Sequence, residues 1–554
     1  MKRILLMVTM GIALSVLAFN ISIHACTNYL ITKGASTDGS TMITYSADSH
    51  ELYGELQYLP AADYREGTLV DIYEGDTGKY LGKIKQAAHT YAVVGLINEH
   101  QVTIGETTFG GREELKDPKA LIDYVSLMNL ALQRAKTARD AIRVMGELVA
   151  EYGYYSTGES FSIADPNEVW IMDMISKGPD KKGAVWVARR VPDGYISGHA
   201  NQARIRQFPL NDKLNCMYAP DTISFAREKG YFNGKDEDFS FVDAYAPPDF
   251  GGLRACEARV WCMFHRVTPD SKQVEKYLDY ALGHNPKNVM PLWIKPDKKL
   301  SVRDVMELMR DHYEGTPMDM TQDVGAGPFA LPYRWRPMEW KLEDKDKKDA
   351  PEYVHERAVS TQQTGYSFVS QCRSWLPNII GGITWFGVDD TYSTVYIPMY
   401  CGIKKVPKSF ARGTADFHHF SWDSAFWVFN FVANYTYSRY CDMIQDVQVV
   451  QRELEGKFFA DQPEVDKTAL ALYKTGPELA REYLSNYSAS EGDAVVARWK
   501  KLGESLIVKY LDGNVRDEKG NITHPEYPKS WYKKIVQESG DRYLKTPVKQ
   551  DEKK

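Results

Sequence analysis

A cysteine at position 26 follows a stretch with the parts of a secretory leader, and its chemistry depends on whether that leader is removed. Lys2 and Arg3 give a positive start, an apolar run extends from Ile4 to about Phe19, and Ala25 is a small residue of the kind found before a cut. Cleavage there leaves Cys26 with a free α-amine, so one residue carries both a nucleophile and a base. An unperturbed α-amine titrates near about 7.7–8.0 and a thiol near about 8.5, so a proton passes between them at little cost around neutrality. Such a residue can attack an amide carbonyl through sulfur, while its nitrogen takes the proton and returns it to the leaving amine.

Two other uses of Cys26 stay open. The cysteine after a leader can be acylated as a lipid anchor, although His24 makes Ile23-His24-Ala25-Cys26 a poor acylation box. Alternatively, Cys26 is half of a disulfide. Export would let disulfides persist, and setting Cys26 aside leaves an even six cysteines at 216, 256, 262, 372, 401 and 441. The odd one out is then the candidate reactive thiol.

Other chemistries lack their motifs. The sequence has no HExxH helix, no P-loop, no GxSxG elbow and no GxGxxG after a strand. Twelve histidines are scattered, and the one adjacent pair, His418-His419, points to two faces of any regular element. No metal and no cofactor is expected. A net charge of −6 gives no reason to expect nucleic acid as partner. Beyond the leader no apolar run is long enough to span a bilayer, so a membrane enters only if Cys26 is lipidated. The expected partner is a small peptide substrate, with a homo-oligomer left open, and the expected location is the periplasm or the exterior.

Four blocks carry a resemblance. They are Cys26 to Leu30 with Ala35 to Thr41, Gly95 to Arg112 (GLINEHQVTIGETTFGGR), Gly158 to Trp170 (GESFSIADPNEVW) and Arg310 to Thr316 (RDHYEGT). Together they resemble the bacterial cysteine dipeptidases (dipeptidase A-like) among the N-terminal-nucleophile hydrolases. The resemblance implies an α+β fold, a four-layer αββα sandwich with an additional C-terminal helical region. It also implies an exported enzyme that hydrolyses dipeptides or short peptides through an N-terminal Cys26. The alternatives are an amidase of the same class acting on acyl-amino acids, bile-salt-like conjugates or cell-wall peptides, and a lipid-anchored protein without activity.

Site residues transfer one at a time on this resemblance. Asp48 matches the aspartate that orients the nucleophile's amine. Tyr45 stands where relatives carry an arginine, so a cation that would lower the thiol pKa is missing there. Asn201 resembles an oxyanion donor, and Thr107 falls near a second oxyanion position. Arg373 resembles a late arginine near the nucleophile that could stand in at position 45. A dipeptide brings an ammonium, for which Glu106 and Glu159 are candidates.

The elements that must position these groups are legible in outline. Strands are expected over 28–33 and 41–45 around a Thr37-Asp38-Gly39-Ser40 turn, then over 91–97, 101–104, 159–164, 169–175, 184–190, 381–388 and 394–399. Helices are expected over 120–135 and over 137–152, the latter opened by Thr137. Ser301 is expected to cap a helix over 301–312. The segment 205–300 reads as irregular, and helices dominate after about Ser421, with breaks near 454–465 and 485–494. The domain reading is a leader over 1–25, a catalytic core over 26–410, a mainly helical region over 411–544 packed on the core, and a tail over 545–554. The charged run Lys341 to Ala350 is expected to be a solvated loop.

Overall fold

β1 (Asn28–Ile31) and β2 (Thr41–Asp48) form the expected hairpin, with Leu30 opposite Ile43 and Ile31 opposite Met42. Asp38 closes the turn by accepting from the Ser40 amide at 3.0 Å, and Gly39 takes a φ of +79° that a side chain would strain. This computed structural model describes residues 26–49, 51–335, 338–341 and 351–545. The expected leader over 1–25, the charged run beyond 341 and the tail beyond 545 lie outside the described residues.

Two antiparallel sheets make the frame. The second sheet is built on β3 (Thr103–Gly110), β4 (Gly158–Ala164), β5 (Val169–Ser176) and β6 (Ala184–Arg190). It continues past β6 to Cys216–Tyr218 and past β3 to Ile97–Asn98, Val93–Val94 and Tyr58–Leu59. The first sheet runs in the order Trp293–Ile294, β7 (Ile196–His199), β1, β2, β8 (Thr364–Cys372), β9 (Gly382–Val388) and β10 (Ile397–Tyr400).

β2 packs against β3 and β4, and β1 against β5, so the sheets face each other. α1 (Tyr124–Leu132) and α2 (Ala138–Tyr152) pack on the second sheet. α3 (Ala258–Val267), α4 (Val302–Leu308) and α5 (Ala425–Tyr437) pack on the first. Strands covered on both faces bury every residue, and β2, β4 and β5 do so although β2 carries Thr41, Thr44, Ser46 and Asp48. Buried polar groups of this kind must be hydrogen-bonded.

Local signals set the helix starts. Thr137 accepts from the Asp140 amide at the head of α2, and Ser301 with Asp304 forms a full capping box on α4. Past α5, α6 (Tyr440–Thr475) runs 36 residues and α7 (Pro477–Lys509) 33, joined at Gly476. Pro477 opens α7 where its missing N–H is harmless.

Several expectations are corrected. α6 passes through Pro463 without a break, held by packing along α7. The segment 205–300 is not irregular throughout, since it holds α3, a preceding π-helical turn (Gly252–Glu257) and shorter helices. β8 lies where no strand is expected, although it is the central partner of β2. The six cysteines other than Cys26 form no disulfides, and all seven are free thiols. Cys372 and Cys401 show the reason: they flank Gly382 from opposite sides. Two strand spacings, about 9.5 Å, exceed disulfide reach.

Candidate active site

Cys26 leads into β1 and lies buried between the sheets, where a bridge pairs Thr27 with Ser46. Its Sγ donates to Tyr45 Oη at 3.9 Å, and Tyr45 Oη donates to Glu106 Oε1 at 2.6 Å. Tyr45 comes from β2 and Glu106 from β3, so the contact spans the two sheets. Gly105 permits the close approach. A Cβ there would fall 2.7 Å from Asn28 Nδ2 and 3.2 Å from Tyr45 Cβ.

Asp48 ends β2 fully buried. It accepts from Ser46 Oγ at 3.0 Å, Thr364 Oγ1 at 2.7 Å and Arg357 Nη2 at 2.9 Å. Ser46 Oγ in turn accepts from the Thr27 amide at 3.2 Å, which ties Asp48 to the residue after Cys26.

Arg259 organises the carbonyl side of Cys26. It lies fully buried near the start of α3. Its Nη1 donates to the Cys26 carbonyl at 2.6 Å and Thr27 Oγ1 at 2.8 Å. Its Nη2 donates to the Ala200 carbonyl and Asn201 Oδ1, both at 3.0 Å. Asn201 holds a left-handed φ of +65° and donates from Nδ2 to the Thr108 carbonyl at 2.7 Å. A strained residue of this kind is an observation from which function is inferred.

Electrostatics around the thiol differ from what a free cysteine would give. Burial, then the charges of Glu106 and Asp48, push the Cys26 thiol well above its ordinary range. Burial at this place thus favours the thiol over the thiolate. Burial raises Glu106 to about 7, and burial together with Glu106 pushes Glu159 well up.

Of the residues singled out in the sequence, Cys26, Tyr45, Asp48 and Glu106 converge, and Arg259 joins Asn201 to them. Glu159 neighbours Glu106 on β4. Thr107 sits on β3, but its Oγ1 contacts His199 Nδ1 at 2.8 Å rather than the thiol. Burial lowers His199 to about 3, so it is a neutral link between Thr107 and Ser162.

Arg373 is not brought to the site. It follows β8, five residues beyond the Tyr45 partner Phe368, roughly 17 Å at strand rise. There it pairs with Asp466 of α6 and donates to the carbonyls of Gly381 and Ile380. The arginines near Cys26 are Arg259 and Arg357 instead, neither of which sequence reasoning finds. Arg259 does leave a signal: an arginine just ahead of the apolar run Val260 to Phe264. His419 is exposed on Asp416, and no metal-holding cluster occurs among the described residues.

Comparison with known proteins gives the family. The model of peptidase family C69 matches residues 55–453, and the chain belongs to that family. A "Probable dipeptidase" of Salmonella dublin is 25% identical over 401 residues, covering 69% of this chain and 82% of that protein. A protein of the same description from Latilactobacillus sakei is 25% identical over 399 residues, 69% of this chain and 75% of its own. A "Probable dipeptidase B" of Streptococcus pyogenes serotype M1 is 21% identical over 533 residues, 90% of this chain and 96% of its own. The resemblance drawn from the four blocks thus holds at the level of the family.

Proposed function

We propose that this chain is an exported cysteine dipeptidase whose nucleophile is Cys26 at the start of the mature protein, on a four-layer N-terminal-nucleophile sandwich. The thiol attacks the peptide carbonyl. The α-amine of the same residue takes the proton and passes it to the departing amine, and water then hydrolyses the thioester. Asp48 fixes the segment behind the amine, and Asn201 with the β3 backbone donates to the developing oxyanion.

The observation that carries this reading is Arg259, one side chain that grips both the Cys26 carbonyl and Asn201 Oδ1. It fixes the nucleophile and the oxyanion candidate relative to one another, which is what acyl transfer requires. The relatives' names, as dipeptidases, support the substrate class. The burial of Cys26 favours a nucleophile over a lipid carrier, because an acyl chain on a sulfur between two sheets has no route to a membrane.

Hydrolysis of a dipeptide panel by the wild type and Cys26→Ala is the test. The wild type should cleave and the variant should lose at least about 10⁴ in rate, on the scale seen when a nucleophile is removed. Undiminished cleavage by Cys26→Ala would remove Cys26 from the mechanism.

A further inference from the structure

We propose that Glu106 and Glu159 form the receptor for the substrate's α-ammonium, sharing one proton before substrate binds and releasing it when the ammonium arrives. The inference rests on Cys26 as the attacking group.

Register places the pair. Glu106 on β3 stands opposite Phe161 and Glu159 on β4 opposite Thr108, so the two carboxylates are diagonal neighbours on one face. Each is about 1% exposed. Two carboxyl groups this near and this dry, with no cation on either among the described residues, do not both ionise, and burial raises both. Oε2 of each finds no donor among the described residues. Tyr154 Oη, also fully buried and without a partner in full hydrogen-bond geometry, feels the charge of both carboxylates. Three buried polar groups are thus gathered, two of them with a carboxyl oxygen that no donor among the described residues reaches.

They gather where a dipeptide amine must be. The α-nitrogen of a substrate is about 2.5 Å from the carbonyl carbon that is attacked. Sulfur approaches that carbon to about 3–3.5 Å before reaction. The carboxylate must then be within one short step of Sγ, and Tyr45 Oη, touching both Sγ and Glu106 Oε1, spans that step. Asp76, exposed and bonded to Tyr124 Oη at 2.7 Å, acts on both glutamates from outside and marks an acidic approach. The groups facing the pair are Tyr45, Cys26, Thr108, Tyr124, Tyr154 and Asp76, and neither glutamate forms an ion pair among the described residues.

The charge balance is simple. One shared proton leaves the unliganded pair with a single negative charge. An incoming ammonium supplies the positive charge instead, both carboxylates ionise, and one proton leaves to solvent. An N-acylated peptide brings a neutral amide, so nothing replaces the shared proton and the pair's negative charge stays without a cation beside it. The receptor therefore selects unblocked peptides over acyl-amino acids.

Calorimetry on protein that begins at residue 26 and carries Cys26→Ala tests this without turnover. The probes are alanyl-alanine and N-acetyl-alanyl-alanine, just below neutral pH, in two buffers of different ionisation enthalpy. The expected result is release of about one proton per alanyl-alanine bound and binding of the acetylated peptide at least about 100-fold weaker. Glu159→Gln should weaken alanyl-alanine at least tenfold and abolish proton release. Equal binding of the two peptides, or heats independent of buffer, would overturn the receptor whether or not the glutamine variant folds. Hydrolysis separates this from the proposed function. If the wild type cleaves both peptides equally and Cys26→Ala cleaves neither, the receptor falls and the nucleophile stands. If proton-coupled binding is seen but Cys26→Ala still cleaves, the nucleophile falls and the receptor stands.

Discussion

Arg259 Nη1 lies 2.6 Å from the carbonyl oxygen of Cys26, a bond between the residue that leads into β1 and a helix more than two hundred residues later. The guanidinium is planar and forked, so a single side chain can hold Cys26, Thr27, Ala200 and Asn201 at once. Arg259→Lys keeps the charge and loses the fork. It should lower kcat by about 10²–10³, the scale of one misplaced oxyanion group, with KM little changed. Steady-state kinetics on a dipeptide checks this, and a pure KM effect would assign Arg259 to substrate binding instead.

Asp48 and Arg357 form a buried ion pair at 2.9 Å. Removing one partner leaves the other charged and dry, at about 3–5 kcal/mol. Asp48→Asn and Arg357→Met should each destabilise by that order in chemical unfolding, and the double variant by much less than their sum. Additive losses would mean the pair is not coupled.

Glu106 links stability to pH. Its folded pKa, about 7, lies above the ordinary carboxyl value of 4.5, so the folded protein holds a proton that the unfolded chain gives up. The stabilising contribution is complete below about 4.5 and lost as pH rises through about 7. Each pH unit that separates the folded from the unfolded titration corresponds to about 1.4 kcal/mol. Melting temperature should therefore fall between pH 5 and 8, and Glu106→Gln should flatten part of that slope. An unchanged slope in the variant would place the titration elsewhere, with Glu159, pushed well up, Asp173 at about 6 and Asp389 at about 8 among the other raised carboxyls.

Arg373 separates sequence resemblance from position. It clamps the end of β8 to Asp466 of α6. Arg373→Met should cost about 3–5 kcal/mol of stability as a broken buried pair, yet leave kcat of the folded enzyme within about twofold. A hundredfold loss of kcat at full folding would restore Arg373 to the active site.

Strands that run apolar, such as β5 and β6, are legible because burial on both faces leaves a continuous hydrophobic signature. β8 (TGYSFVSQC) is not, because its serines and glutamine are satisfied by partners from distant segments, such as Tyr396 for Ser367 and Asp38 for Gln371. The same limit governs the site. Cys26, Tyr45 and Asp48 belong to one hairpin, and the resemblance of that block to the family carries them over together. Arg259 and Arg357 arrive through tertiary packing, and local pattern does not say which arginine of the chain comes to Cys26. Arg373 matches by its sequence context alone and sits at the far end of the right strand.

In the reaction proposed above, sulfur and terminal nitrogen of Cys26 act together. The most direct measurement compares kcat/KM on one dipeptide for matched preparations, one beginning at Cys26 and one retaining a single alanine before it, with each N-terminus verified by intact mass. The account predicts a loss of about 10²–10⁴ in the extended form, the worth of a general base. Equal kcat/KM in the two forms would contradict it.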